Sequence, residues 1–361
     1  MQSQTSLSQI PLFLCILILS AIPMHSEDTV HQDWHRFMLC GNSIVIPDWG
    51  TSSVLESDDI FLPSRYGAEK ALDGDTATSW VEGVPGPGIG ESYTLALPSL
   101  PEALGFHNGY AKNSDLFGWN HRVKTMNVSI YAAVTVDALS TERAIIYDAQ
   151  IISEMHTIHL TDTMAAQRVP LPFSRTMLIE KMKAFRESEA IESWRFPVAT
   201  ENGANAESGL SYDFRYLIHL EIADIYPGTR WEDTCIAELW ADYGDAVGVR
   251  ESENMRSLVI TKADNEEIIV YSPFEYLVTL LETNSSNEWA LVILEPYYHD
   301  GGRIETRYAV IHLPTGRDLS GKTLSNVLPV GFMEDGPDTY LKHENGVSGK
   351  GGRIPCRLYH D

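Results

Sequence analysis

The stretch that decides the fold is YGAEKALDGDTATSWVEG, which spans residues 66–83. At its centre, the Asp-Gly-Asp run at 73–75 is a tight turn that gathers carboxylate and carbonyl oxygens, and Thr78 follows with a hydroxyl. Ca²⁺ binds about six to eight such oxygens, and flexible loops supply them. Two interpretations stay open at this point, because Asp-Gly is also a common turn dipeptide that needs no metal.

Short strands separated by turn residues surround this stretch, from about residue 44 to residue 243. Apolar side chains alternate with their neighbours in three clear segments: 126–131, 216–222 and 235–240. A period of two with Gly, Pro, Asn and Asp between the strands is typical of an all-β sandwich. Residues 174–194 differ, because Leu178, Met182 and Phe185 recur there at helical spacing, which predicts an inserted amphipathic helix.

Several short motifs follow one another along this part of the chain: Leu72-Asp73-Gly74-Asp75-x-x-Thr78-x-Trp80-Val81-Glu82-Gly83, Gly88-Ile89-Gly90-Glu91, Asn108-Gly109-Tyr110, Asn120-x-Arg122-Val123, Tyr226-Pro227-Gly228 and Asp233-Thr234-Cys235-Ile236. Together they resemble the discoidin-like (coagulation-factor type-C) jelly roll. Within that group they resemble most the NAD glycohydrolase translocation, or NADase-type glycan-binding, domain. The resemblance implies a mainly β fold, a galactose-binding-like sandwich whose end loops bind a sugar.

The resemblance also implies a metal site. In related jelly rolls the Asp-Gly-Asp-x-x-Thr loop and a late Glu hold a structural Ca²⁺. The matching positions in this sequence are Asp73, Asp75, Thr78 and Glu238. Glu238 is the late acid because the final strand of a sandwich often closes beside the first.

A sugar site needs aromatic faces for the apolar side of the ring and planar polar groups for its hydroxyls. The aromatic candidates are Trp80, Tyr110 and Trp119, and the hydrogen-bonding candidates are Glu82, Asn108, Asn120 and Arg122. Structural alternatives stay open for several of them. Trp80 suits a core position, Asn108 suits a turn, and Arg122 suits an ion pair with a neighbour such as Asp115.

The chain length predicts two domains, because 361 residues exceed the roughly 250–300 at which one hydrophobic core stops growing. The run GDAVG at 244–248 is a candidate hinge, and strand-like segments continue after it. We therefore expect a signal peptide at 1–26, a lead-in at 27–47, the discoidin-like domain at 48–243 and a smaller β-rich domain at 244–361.

The N-terminus predicts export. Residues 12–19 (LFLCILIL) form an unbroken apolar run, and small residues follow before the chain turns polar. This pattern is typical of a cleaved signal peptide and is too short for a permanent membrane span. A retained anchor and a misassigned start stay open as alternatives. The mature protein is thus expected to be secreted, periplasmic or on the cell surface, and its Cys40, Cys235 and Cys356 allow at most one internal disulfide.

Acidic residues outnumber basic ones 50 to 26, which gives a formal net charge of −24. Such a chain repels phosphate backbones and anionic lipid headgroups, so nucleic acid and polybasic membrane attachment are excluded as the main partners. The charge balance suits neutral ligands or hard cations.

No catalytic motif is assembled in the sequence. Residues 316–323 (GRDLSGKT) match the phosphate-loop expression, but too few residues follow for the long helix that such a site requires. The sequence favours a non-catalytic carbohydrate-binding protein. The alternatives are an enzyme that this module targets, either an NAD glycohydrolase or a glycoside hydrolase, and a protein–protein adhesion or scaffold module.

Overall fold

The structure is a computed structural model that describes residues 34–40, 48–57, 62–136, 139, 144–201, 212–273, 276–296, 306–318, 327–335, 338–345 and 351–356. The expected signal peptide at 1–26 and most of the expected lead-in at 27–47 lie outside the described residues. The chain is mainly β, as the sequence predicts.

The strands of the N-terminal part are β1 (His35–Leu39), β2 (Asp48–Thr51), β3 (Trp80–Val81), β4 (Ser92–Leu97), β5 (Ala103–Asn108), β6 (His121–Val136), β7 (Ile145–Ile151), β8 (His156–His159), β9 (Gln167–Pro170), β10 (Tyr212–Tyr226) and β11 (Thr234–Asp242). The strands that follow are β12 (Gly248–Glu251), β13 (Leu258–Thr261), β14 (Glu267–Tyr271), β15 (Tyr276–Thr283), β16 (Trp289–Pro296), β17 (Arg307–His312), β18 (Arg317–Asp318), β19 (Val327–Asp335), β20 (Asp338–Asn345) and β21 (Gly351–Pro355). The helices are a 3-10 turn (Ala68–Ala71), α1 (Ser114–Trp119), α2 (Arg175–Arg186) and α3 (Glu189–Glu201).

The N-terminal strands form one sheet with the order β2-β4-β10-β6-β11-β5-β9, and β1, β3, β7 and β8 pair at its margins. Strand β6 pairs with β10 along one edge and with β11, β8 and β7 in turn along the other. Strand β7 also pairs with β1, and Cys40 at the end of β1 exchanges backbone hydrogen bonds with Trp49 of β2. Because β2 pairs with β4, the strands β1, β7, β6, β10, β4 and β2 close into a ring.

Two hydrophobic clusters fill this part of the molecule. Trp80, Tyr93 and Phe106 are fully buried in the larger one, together with the inward-facing residues of β6 and β10. The smaller cluster lies inside the ring of strands and includes Leu39 and Tyr147. The period of two along the strands therefore identifies core positions correctly.

The predicted helical insert is present as α2 and α3. The Ser174 hydroxyl caps α2 by accepting from the Met177 N–H (3.4 Å). Leu178, Met182 and Phe185 are buried against the main cluster, as their spacing of four and three residues predicts.

Three smaller sheets follow the sandwich, with the orders β12-β13-β14, β15-β16-β17-β18 and β19-β20-β21. Leu258, Val292 and Ile311 from the first two belong to the same hydrophobic cluster as the sandwich core. Phe332 and Leu341 of the last sheet belong to a separate cluster. The domain boundary at 243/244 stays a prediction, and it separates residues that share one core.

In the described part of the chain, Cys40, Cys235 and Cys356 form no disulfide with one another, and burial raises the pKa of Cys235. Among the residues described above, no helix has the length and apolar character that a bilayer crossing requires.

Candidate functional site

The Asp-Gly-Asp turn folds around its own hydrogen bonds. Asp73 Oδ1 accepts from the backbone N–H of Asp75 (3.0 Å) and from the Thr78 hydroxyl (3.0 Å). Asp75 Oδ1 accepts in turn from the N–H of Ala77 (2.9 Å). Gly74 has a φ of 75°, a left-handed conformation that favours glycine between the two acids.

Glu238 reaches this turn from the last strand of the sandwich. Strand β11 pairs with β3, with Ile236 opposite Trp80. This register brings the Glu238 side chain beside the turn, where its Oε1 accepts from the N–H of Asp75 (2.9 Å). The residues expected to bind a metal therefore meet in one place.

An arginine already faces the other oxygen of Glu238. Arg317 Nη2 donates to Glu238 Oε2 (2.5 Å), and both side chains are buried. Burial raises the pKa of Glu238 to about 7, and the nearby guanidinium opposes that rise because it favours the charged carboxylate. On the turn itself, Lys70 Nζ lies 3.6 Å from Asp73 Oδ2.

These contacts do not fit the Ca²⁺ shell that the sequence predicts. Ca²⁺ needs oxygen lone pairs directed at a common point, whereas Asp73 and Glu238 accept from N–H and O–H donors and lie against two cationic side chains. In the described part of the chain, no group of three or more His, Cys, Asp or Glu side chains is arranged to hold a metal. Calcium binding stays a prediction that this geometry does not support.

Trp80 is a core residue, and Glu82 bonds to backbone N–H groups of neighbouring segments. Trp80 is fully buried, packs edge-to-face on Tyr93 (ring centroids 5.4 Å apart) and donates its indole N–H to a loop carbonyl (3.1 Å). The buried Glu82 carboxylate accepts from the N–H groups of Thr234 (3.1 Å) and Val84 (2.8 Å). Burial raises the pKa of Glu82. Both side chains thus bond to backbone groups of the protein itself.

Asn108 and Asn120 likewise satisfy backbone groups. The Asn108 amide donates to the carbonyl of Val123 (2.7 Å), and its oxygen accepts from the Val123 N–H (3.0 Å). The Asn120 amide donates to the carbonyl of Leu116 (2.8 Å) at the end of α1. Both residues are buried, so their role here is to connect strands and loops.

Arg122 and Tyr110 are also enclosed. The Arg122 guanidinium pairs with both carboxylate oxygens of Asp162 (2.9 and 2.7 Å), and its Nη1 donates to two loop carbonyls. The partner is thus Asp162, and the pairing with Asp115 considered from the sequence is wrong. Tyr110 is 9% exposed and packs with the buried Cys235.

Trp119 alone among the aromatic candidates stays half-exposed, at the loop end of the sandwich. Its ring lies beside that of Trp231, with centroids 5.3 Å apart and planes at 80°. The guanidinium carbon of the exposed Arg230 lies 4.9 Å from the centre of the Trp119 ring and 4.6 Å from that of Trp231. We call Trp119, Arg230 and Trp231 the tryptophan–arginine cluster.

Backbone hydrogen bonds hold this cluster together. The Asn113 side chain caps α1 by accepting from an N–H of its first turn (2.9 Å), and α1 ends at Trp119. The N–H groups of Arg230 (3.1 Å) and Trp231 (2.9 Å) both donate to the carbonyl of Trp119. A Cβ at Gly228 would lie 2.4 Å from that same oxygen, so only glycine permits this approach of the two loops.

Sequence reasoning missed Arg230 and Trp231. A signal was present, because both residues directly follow the Tyr-Pro-Gly-Thr turn at 226–229, and a large aromatic residue in such a polar turn has no strand or helix to bury it. Their approach to Trp119 is a contact between two loops, which no local pattern shows.

Comparison with known proteins gives the family and little more. A search of curated proteins finds no match. Two cryo-EM structures of a mutant arabinofuranosyltransferase AftD from Mycobacteria share 11% identity with this chain, cover 68% and 73% of it, and have a TM-score of 0.28. This chain spans 16% of their length. Residues 42–242 match the family described as the NAD glycohydrolase translocation F5/8 type C domain. The chain therefore belongs to this discoidin-like family.

Proposed function

We propose that this protein is an exported, non-catalytic carbohydrate-binding protein whose ligand contacts the tryptophan–arginine cluster. The observation that carries the proposal is the pair of half-exposed indoles, Trp119 and Trp231, fixed nearly perpendicular to each other at the loop end of the sandwich. Rigid aromatic side chains with one solvent-exposed face are typical of ligand contact surfaces.

The chemistry of a sugar ring suits this surface. The apolar C–H face of a pyranose packs on an indole, while neighbouring polar groups meet its hydroxyls. A site with so small a contact area is expected to bind one glycan with a Kd of about 10⁻³ to 10⁻⁵ M, or about −4 to −7 kcal/mol. Firm attachment to a cell surface would then require several sites acting together.

Family membership supports the other two parts of the proposal. The F5/8 type C domain is a binding module of the discoidin-like type, which favours recognition over catalysis. The family description names translocation, and the apolar run at 12–19 is typical of an export signal.

A glycan array with the purified protein tests the proposal. We expect binding to a defined subset of glycans, and loss of that binding in the variants Trp119→Ala and Trp231→Ala. The control is Trp240→Ala, which also removes a partly buried indole. Trp240 lies six residues after the start of β11, roughly 20 Å along the strand from that start. Absence of glycan binding by the folded protein, or equal loss in the control, would contradict the proposal.

A further inference from the structure

In the tryptophan–arginine cluster, the positive charge of Arg230 lies against two indole rings. We propose that this end of the sandwich selects acidic saccharides, with Arg230 binding the carboxylate of a uronic-acid-type sugar whose ring packs on an indole. The inference rests on the proposed function and adds the class of sugar.

The position of the Arg230 guanidinium is the first step of the argument. Its central carbon lies within 5 Å of the centres of both indole rings, at 4.9 and 4.6 Å. Stacking of this kind uses the flat face of the guanidinium and leaves its N–H donors free at the edge of the plane. Because the planes of Trp119 and Trp231 stand at 80° to each other, the Arg230 guanidinium can stack flat on only one of them, and such stacking leaves the N–H donors at its edge able to bond a ligand.

The second step concerns charge. Three other arginines of this part of the chain are paired with acids: Arg122 with Asp162, Arg168 with Glu102 and Asp242, and Arg175 with Glu266. Arg230 is exposed, and among the described residues no carboxylate lies within ion-pair distance of it, although acids outnumber bases 50 to 26. The net charge of −24 repels an anion at long range, so a preference for an acidic ligand has to come from this exposed guanidinium at short range, where a direct ion pair outweighs the screened repulsion of distant acids.

The third step is the match between the guanidinium and its ligand. A carboxylate is planar and accepts two parallel N–H bonds from an arginine, and such charge-assisted pairs are about twice as strong as neutral hydrogen bonds. Because Arg230 lies against the indoles, an acidic sugar can place its carboxylate on the guanidinium edge and its ring on the neighbouring aromatic face. A neutral sugar gains only the second contact.

The backbone fixes this arrangement before any ligand arrives. The N–H groups of Arg230 and Trp231 are bonded to the Trp119 carbonyl, and the Thr229 N–H donates to the carbonyl of Gly118 (3.1 Å). A preformed site avoids part of the ordering cost of binding, so a single charged contact can set the preference.

The test compares two ligands that differ only at the carboxylate. Calorimetry measures the Kd of the full-length protein for an oligosaccharide of hexuronic acid and for the same oligosaccharide after reduction of each carboxylate to a CH₂OH group. We expect the acidic form to bind about tenfold more tightly. Arg230→Gln should abolish this difference between the two forms. The matched control is Arg186→Gln, which removes an exposed arginine that stacks on Phe214 elsewhere (5.2 Å).

The outcomes separate this inference from the proposed function. Equal affinity for the acidic and reduced forms, or a preference that survives Arg230→Gln, would overturn the inference while glycan binding that depends on Trp119 and Trp231 stands. Absence of binding to every saccharide would overturn both. An aspartate hexapeptide that binds as tightly as the acidic oligosaccharide would also overturn the inference, because the carboxylate alone would then suffice.

Discussion

Replacement of Arg317 by Met removes the positive charge that faces the buried Glu238 and keeps a side chain of similar length. In the native protein, Arg317 Nη2 lies 2.5 Å from Glu238 Oε2, and neither side chain is exposed to more than a few per cent. Removal of one partner of a buried ion pair costs about 3–5 kcal/mol, because the other charge stays behind in a poorly solvated place. For a chain of this length, that loss lowers Tm by about 5 °C if unfolding is cooperative.

The cost should depend on pH, and its sign follows from the pKa of Glu238. Burial raises this pKa from 4.5 to about 7 in the folded protein. An acid whose pKa is raised on folding adds stability below its unfolded pKa and loses that contribution as pH rises through the folded value. Without Arg317 the folded pKa rises further. The variant should therefore be close to the wild type at pH 5, where Glu238 is protonated in both proteins, and clearly less stable at pH 8.

Denaturant unfolding at pH 5 and pH 8 measures both effects, with the wild type, Arg317→Met and the double variant Arg317→Met/Glu238→Gln. The double variant has no buried charge at this position and keeps an oxygen for the Asp75 N–H, so it should recover most of the stability lost at pH 8. Equal destabilisation at both pH values, or no recovery in the double variant, would refute the assignment of Arg317 as the partner that neutralises Glu238.

Three further experiments probe the rest of the site. Gly228→Ala should push the two loops apart, because its Cβ would lie 2.4 Å from the Trp119 carbonyl oxygen. We expect the free energy of unfolding to fall by about 1–3 kcal/mol in denaturant unfolding and glycan binding to weaken in calorimetry. Unchanged binding would argue against the loop contact. Chelation with EDTA should leave Tm unchanged because Arg317 and Lys70 supply the positive charge, and a clear drop in Tm together with calcium by elemental analysis would restore the metal site. Burial raises the pKa of Asp48 to about 6, so the contribution of Asp48 to the free energy of unfolding should fall as pH rises from 4 to 7. In a pH series of unfolding midpoints, Asp48→Asn should remove this contribution and make the slope over that range less negative than in the wild type; an unchanged slope would contradict the burial of this carboxyl group.

Periodic patterns in the sequence predicted the structural features that depend on a single helix or a single strand. The helix of the insert follows from Leu178, Met182 and Phe185, since all three must face one side to be buried. The strands follow in the same way from their period of two. The approach of Glu238 to the Asp-Gly-Asp turn required more, namely the expectation that the final strand of a sandwich closes beside an early one, and β11 does pair with β3.

Several of the predicted sugar-binding side chains have bonds inside the protein that residue type alone does not show. Asn108, Glu82 and Arg122 have the polar groups that bind hydroxyls, but each is buried where a loop or strand leaves N–H or C=O groups without a backbone partner. A sequence does not show which backbone groups need such help, because that depends on where loops break away from the sheet. Polar residues in strand-flanking motifs are therefore as consistent with a role in folding as with ligand binding.

No local pattern could predict the contact of Arg317 with Glu238, because Arg317 lies 79 residues further along the chain. The only recognisable motif in its segment is the phosphate-loop match. Its contact nevertheless changes how the metal site is understood. A carboxylate at the junction of the Asp-Gly-Asp turn and the last sandwich strand needs a positive charge beside it. A Ca²⁺ ion and a guanidinium both provide one, but the guanidinium is covalently part of the chain. The strands after residue 243 thus contribute to the stability of the sandwich end through this ion pair, as they do through the shared hydrophobic cluster.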